Sequence, residues 1–224
     1  MYDIIGRAGI EIAALNVNKP VGTHVKTGDI RKLSAGLFRT LPDKSIDNVL
    51  TLCEALLDKH SWEAGVIAYD WADRSSSQYS RDTYPIFYSW LKKYVRGWGD
   101  CDDFCTHAFG KLLMKYKELF ANVLEWTKDD DFWVRRAAAV ILIPSIARKD
   151  YAGLLPFDIS DRLMNDENDL VLKGYGWMLK ILSKADEKGV IDYLAQNHSS
   201  IPRVAFRYAI EKLDREKRSY LMGL

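Results

Sequence analysis

The sequence predicts an all-α protein, an α-solenoid of HEAT-like antiparallel helix pairs stacked into a curved superhelix. Three observations predict it. Apolar residues recur three and four positions apart along nearly the whole chain, which is the period of a helix with one buried face. No run alternates with period two over the length of a strand, and no Asn-Gly or Asp-Gly hairpin signal occurs. Segments of similar character also return at intervals. Trp133 to Leu170 is 37 residues and Leu170 to Pro202 is 32, each interval holding a pair of expected helices. A pair of helices cannot bury its apolar faces alone, so repeats of this length stack. A single HEAT-repeat-like domain over residues 1–224 is the simplest organisation.

The elements follow in order. Ile30, Leu33, Leu37, Phe38 and Leu41 form the first stripe, which Pro42 ends. Ser45 is placed to cap the next helix, whose buried face is Ile46, Val49, Leu50, Cys53 and Leu57. A third helix spans about 62–71. A fourth follows Asp82 and Pro85 and turns Phe87, Trp90, Leu91 and Tyr94 inward; proline is tolerated there because its missing N–H would be unpaired anyway. Further helices are expected near 102–114, 116–126, 131–143, 151–164, 169–183, 187–196 and 203–213.

Composition narrows the class. With 224 residues, 48% hydrophobic, the chain can bury a sizeable core and is not mainly disordered. The 32 Lys and Arg against 31 Asp and Glu leave a net charge of +1, so any affinity for nucleic acid must come from a local cluster. Three cysteines (Cys53, Cys101, Cys105) are too few, and odd in number, for a secreted disulfide scaffold, which points to a reducing cytoplasm. Asp3, Arg7 and Glu11 interrupt the N-terminal apolar stretch and argue against a signal peptide. The longest apolar run, Ala137–Ile143, falls far short of the roughly 20 residues of a membrane span.

Chemistry concentrates in a few places. In Arg96-Gly-Trp-Gly-Asp-Cys-Asp-Asp-Phe, two glycines flank Trp98 and three acids follow. Asp100 and Asp103 would share a helical face, with Asp102 turned about 100° away. Acids here suit a helix N-terminus, or a carboxylate held beside an aromatic surface. Cys101, Cys105 and His107 suggest zinc, but nothing supplies the four ligands of a closed site, so no metal is expected. Basic residues gather in the second half at matching positions of the repeat or near them: Arg135, Arg136, Lys173, Arg203 and Arg207. Between Ile201 and Leu224 six bases face three acids, a local excess of +3. Stacked in register, these cations would line one surface fit for a phosphate backbone. Arg136 and Lys173 sit within apolar segments, where a charge is costly to bury unless paired. Trp177 lies one turn beyond Lys173, and Gly174 and Gly176 beside it permit close approach.

Taken together, these segments resemble the DNA alkylation repair family, the AlkD-like HEAT-repeat DNA glycosylases. The resemblance runs from about His24 onward. It is carried by Lys26-Thr-Gly-Asp-Ile-Arg31, Trp98-Gly-Asp-Cys-Asp-Asp103, Phe132-Trp-Val-Arg-Arg-Ala-Ala138, Lys173-Gly-Tyr-Gly-Trp177 and Pro202-Arg-Val-Ala. It implies a solenoid that binds double-stranded DNA and excises cationic N3- or N7-alkylated purines without metal or organic cofactor. Carried over by position, the family's aspartate falls on Asp103, its arginine on Arg136 and one aromatic on Trp177. The family's other tryptophan precedes the aspartate by four residues. Here that position is Gly99, with Trp98 adjacent. The expected catalytic set is therefore Asp103, Trp177 and Trp98. The expected DNA contacts are Arg136, Arg135, Lys173, Arg203 and Arg207. The protein is expected to act as a monomer in the cytoplasm. Two other functions fit the same residues: a non-catalytic HEAT-repeat module for damaged or branched DNA, and a protein-interaction solenoid.

Overall fold

The structure is a computed structural model, and it describes residues 3–17 and 23–224. Those residues contain helices and no strand. The chain packs into two compact units that divide between Tyr94 and Val95.

The first unit holds α1 (Ile4–Val17), α2 (Thr27–Arg39), α3 (Ile46–Leu57), α4 (Trp62–Arg74) and α5 (Thr83–Tyr94). Helix α4 is central: α1, α2 and α3 all pack on it. Its Trp71 is fully buried and donates its indole N–H to the Ser34 carbonyl on α2 at 3.2 Å. The Ser34 hydroxyl in turn donates to Asp70 at 2.5 Å, and Arg74 pairs with the same carboxylate at 2.7 Å. A buried acid is tolerable when it is supplied this way with both a hydrogen bond and a counter-charge. Ser45 does occupy the position before α3, but its side chain does not cap the helix. It donates to Asp43, and the free Ile46 N–H goes to Gln78 Oε1 instead. The expected inward residues of α5 (Phe87, Trp90, Leu91 and Tyr94) are all buried.

The second unit holds α6 (Trp98–Thr106), α7 (Ala108–Lys115), α8 (Phe120–Trp126), α9 (Phe132–Val140), α10 (Ile143–Ala147), α11 (Pro156–Leu163), α12 (Asp169–Leu182), α13 (Glu187–Gln196), α14 (Arg203–Ala209) and α15 (Arg215–Met222). It is an α-solenoid in its local packing. Helices α6, α9, α12 and α14 lie side by side in one row, each against the next. They begin at residues 98, 132, 169 and 203, at intervals of 34, 37 and 34. In the second row α7 packs on α10 and α13 on α15.

Several boundaries differ from the periodicity. The helix expected over 102–114 is two, broken at His107 (φ −121°, ψ −97°), whose Nδ1 lies 2.9 Å from the Asp103 carbonyl. The chain doubles back so tightly there that a Cβ on Gly110 would lie 2.4 Å from the Cys105 carbonyl oxygen. The helix expected over 131–143 ends at Val140, and a short helix restarts with Pro144 in its first turn, the position proline favours. Helix α11 likewise waits for Pro156 rather than starting at 151.

Close packing in the row also depends on Gly176. A Cβ there would stand 2.7 Å from the Ala205 carbonyl oxygen and 2.8 Å from Tyr208 Cβ, so α12 and α14 could not keep their separation. Alanine's better helix propensity offsets less than about 1 kcal/mol, against about 1–3 kcal/mol for overpacking. Gly176→Ala is therefore expected to lower the melting temperature by a few degrees, roughly 2–4 °C for each net kcal/mol, as followed by circular dichroism. An unchanged or higher Tm would show that α14 yields freely.

All three cysteines are free and buried. Burial pushes the Cys53 thiol far above its ordinary range, and burial beside Cys101 does the same to Cys105. Among the described residues no cluster of three or more His, Cys, Asp or Glu is placed to hold a metal ion. No described helix is long and apolar enough to cross a membrane.

Candidate nucleic-acid interface

The fifth residue of each helix in the first row falls on Asp102, Arg136, Lys173 and Arg207. Asp102 meets Arg136 directly, and Arg136 passes against Gly174, next to Lys173. Charges inside apolar segments are thus accommodated by a partner or by solvent: Arg136 by Asp102, and Lys173 and Arg207 at the surface.

Asp102 and Arg136 form an ion pair. Arg136 reaches Asp102 with two nitrogens, Nε to Oδ1 at 3.0 Å and Nη2 to Oδ1 and Oδ2 at 2.7 and 2.9 Å. Its remaining nitrogen, Nη1, donates to the Leu170 carbonyl of α12. One side chain thus ties α6, α9 and α12. Gly174 lets it pass, since a Cβ there would lie 3.2 Å from Arg136 Cγ. Arg136 is only 5% exposed. Where the sequence expects a DNA contact at Arg136, its guanidinium is engaged inside the protein by Asp102 and the Leu170 carbonyl, and it positions Asp102.

The three acids of α6 have three separate partners. Asp100 accepts the Arg96 N–H at 3.2 Å, closing the helix N-terminus. Asp103 lies against its own helix, with Oδ1 3.1 Å from His107 Nδ1. Asp102 alone faces Arg136. Burial pushes the Asp102 carboxyl above the usual range, with the charge and hydrogen bonds of Arg136 pulling the other way. Burial likewise raises Asp100, against the N–H groups of Arg96 and Gly97.

Trp98 is the first residue of α6 and is 64% exposed. Because the helix begins at Trp98 itself, Trp98 and Asp102 are one turn apart on one face. The tryptophan four residues before the aspartate is thus present when the aspartate is Asp102 rather than Asp103. Asp103, the expected catalytic residue, has Gly99 at that spacing.

The other expected residues separate into two groups. Arg135 pairs with Asp166, Nε to Oδ2 at 2.6 Å, and donates to the Asp129 and Asp130 carbonyls. This expected DNA contact fastens the loop before α12 to the loop before α9. Lys173 is half-buried and only loosely held by Asp169, at 3.9 Å. Trp177, one turn on, is half-buried too. Arg203 and Arg207 are exposed on one face of α14 and form no ion pair among the described residues.

Neighbouring helices of the second unit thus carry a held carboxylate, an exposed indole and exposed cations. A family model described as DNA alkylation repair enzyme matches residues 22–213. The chain belongs to that family, and so to the repair of alkylated DNA. Its fold is similar to a solved structure titled as a predicted DNA alkylation repair enzyme from Enterococcus faecalis, at 17% identity, a TM-score of 0.70, and 96% coverage of each chain. No curated protein matches.

Proposed function

We propose that this chain is a monofunctional alkylpurine DNA glycosylase, working as a monomer in the cytoplasm without metal or organic cofactor. The observation that carries the reading is the Asp102–Arg136 pair, with Trp98 standing exposed one turn before it.

The chemistry suits this set. Alkylation at N3 or N7 makes the purine cationic. When the N-glycosidic bond breaks, its electron pair passes to the base, which leaves neutral, so no acid need protonate it. Water adds its oxygen to C1′ and gives up a proton. The demand on the protein lies at the sugar, where oxocarbenium charge develops. A carboxylate there stabilises that charge and accepts the proton from water. Asp102 meets both requirements, because its raised proton affinity makes it a better base than an ordinary aspartate. Arg136 fixes its direction. The indoles of Trp98 and Trp177 present π-faces to a cationic base. Lys173, Arg203 and Arg207 hold the backbone.

The test is release of free 7-methylguanine or 3-methyladenine from methylated duplex DNA, followed against pH. Because the ionised carboxylate acts, the enzymatic rate should rise with pH through a limb above the ordinary aspartate value of 3.8 and then level off. Release with no acid limb would remove Asp102 from the reaction. Binding of methylated DNA with no release would favour the non-catalytic module, a reading to which the full engagement of Asp102 by Arg136 lends some weight.

A further inference from the structure

We infer that a groove between α14 and α15 extends the backbone contacts of Arg203 and Arg207 into a further phosphate-binding site, which grips one DNA strand beyond the base-excision site. The inference rests on DNA being the substrate, though not on catalysis.

Arg203 and Arg207 are four apart on α14, and Arg215 and Arg218 three apart on α15, so each pair shares one helical face. The two faces meet across a turn and line one open groove of about 540 Å³. That is the size of a ligand cleft and far larger than a single small anion requires. None of the four arginines forms an ion pair among the described residues. Like charges gathered without counter-ions raise the cost of the folded state, which is repaid when an anion binds. The lone carboxylate in the lining, Glu211, is already neutralised. Lys180 holds it at 3.0 Å and Lys212 at 3.7 Å, and these contacts keep its carboxyl below the usual range. The groove therefore presents close to four uncompensated positive charges.

The choice of residue identifies the occupant. All four cations are arginine, whose planar fork matches phosphate oxygens two at a time. Met222 adds apolar surface beside them, which a sugar can cover and a free inorganic ion cannot use. Continuity supplies the rest. Helix α14 packs directly on α12, which carries Lys173 and Trp177, so the groove lies one helix beyond the candidate site. A strand that crosses from α12 onto α14 arrives between α14 and α15.

The test measures binding of an unmodified duplex by fluorescence anisotropy across a range of salt concentrations. The proteins are wild type, Arg215→Ala/Arg218→Ala, Arg215→Lys/Arg218→Lys, and Lys184→Ala/Lys188→Ala, which removes the same charge elsewhere in the unit. Loss of two phosphate contacts should flatten the slope of log K against log salt by about 2 and weaken binding by on the order of tenfold near 0.1 M salt. The lysine double variant should keep the slope, and so should Lys184→Ala/Lys188→Ala. The arginines are exposed and α15 is anchored by Leu221, so all variants should melt like wild type. An unchanged slope in Arg215→Ala/Arg218→Ala would overturn the inference. So would an equal change in the Lys184→Ala/Lys188→Ala control, or wild-type binding that ignores salt. Failure of the glycosylase reading is seen separately, as absent base release from a protein whose salt slope still depends on Arg215 and Arg218.

Discussion

Asp102→Asn is expected to slow release of 7-methylguanine by on the order of 10²–10⁴-fold, the usual contribution of a positioned acid or base. Asp103→Asn should release the base at close to the wild-type rate. The two residues are adjacent, equally charged and on the same helix, so the comparison isolates direction. Asp102 faces Arg136; Asp103 turns toward His107 on its own helix. The asparagine at 102 keeps the shape and a carbonyl acceptor but loses the charge that would face the oxocarbenium ion. DNA affinity should be unchanged or slightly higher, since a negative group has been removed from a phosphate-binding face. If Asp103→Asn proved the inactive variant and Asp102→Asn turned over normally, the assignment made from Arg136 would be wrong.

Arg136→Ala should be the most destabilising single change in the second unit's polar set. It leaves Asp102, whose side chain is only 18% exposed, without its counter-charge and the Leu170 carbonyl without its donor. It also opens space beside Gly174. Breaking a buried pair from one side costs about 3–5 kcal/mol. The lower end applies here because Asp102 reaches solvent and takes up a proton readily. A drop of about 6–12 °C in Tm is expected, together with loss of base release. Arg136→Lys is the companion variant should the alanine protein fail to fold. It keeps the charge but cannot span Asp102 and Leu170 together, so it should fold and still lose most activity. Wild-type stability in Arg136→Ala would show that the pair holds nothing together. A double-mutant cycle with Asp102→Asn would assign the coupling to this contact.

Much of this architecture was legible in the residues. The limits of α13 agree with the expected 187–196, and α12 with 169–183 to within one residue, because each has a polar N-cap and a clean apolar face. The break at His107 was hidden, since Ala108, Phe109 and Leu112 carry on the apolar rhythm across it and only the tertiary fold shows the chain turning. Helix α15 leaves no such signal for the opposite reason: Leu221 is its one buried residue, too little to make a stripe. At the site, the cost of burying Arg136 in an apolar segment signalled a partner, and a partner exists. Which acid it takes was out of reach. One residue turns a side chain by about 100°, and choosing between Asp102 and Asp103 needs the helix start and the reach of a guanidinium from 34 residues away.

The burial of all three thiols has a consequence for where such a protein can work. A cell whose DNA is being methylated is one in which soft nucleophiles are methylated too, and among protein groups the thiolate is the foremost target. Cys101 and Cys105 flank Asp102 in sequence, so an adduct on either would strike at the candidate site itself. Both are sealed from solvent, and Cys53 and Cys105 are held firmly in the protonated, unreactive form. The fold thereby shields its own chemistry from the agents whose damage it is built to reverse, and it stays serviceable through the same exposure that creates its substrate.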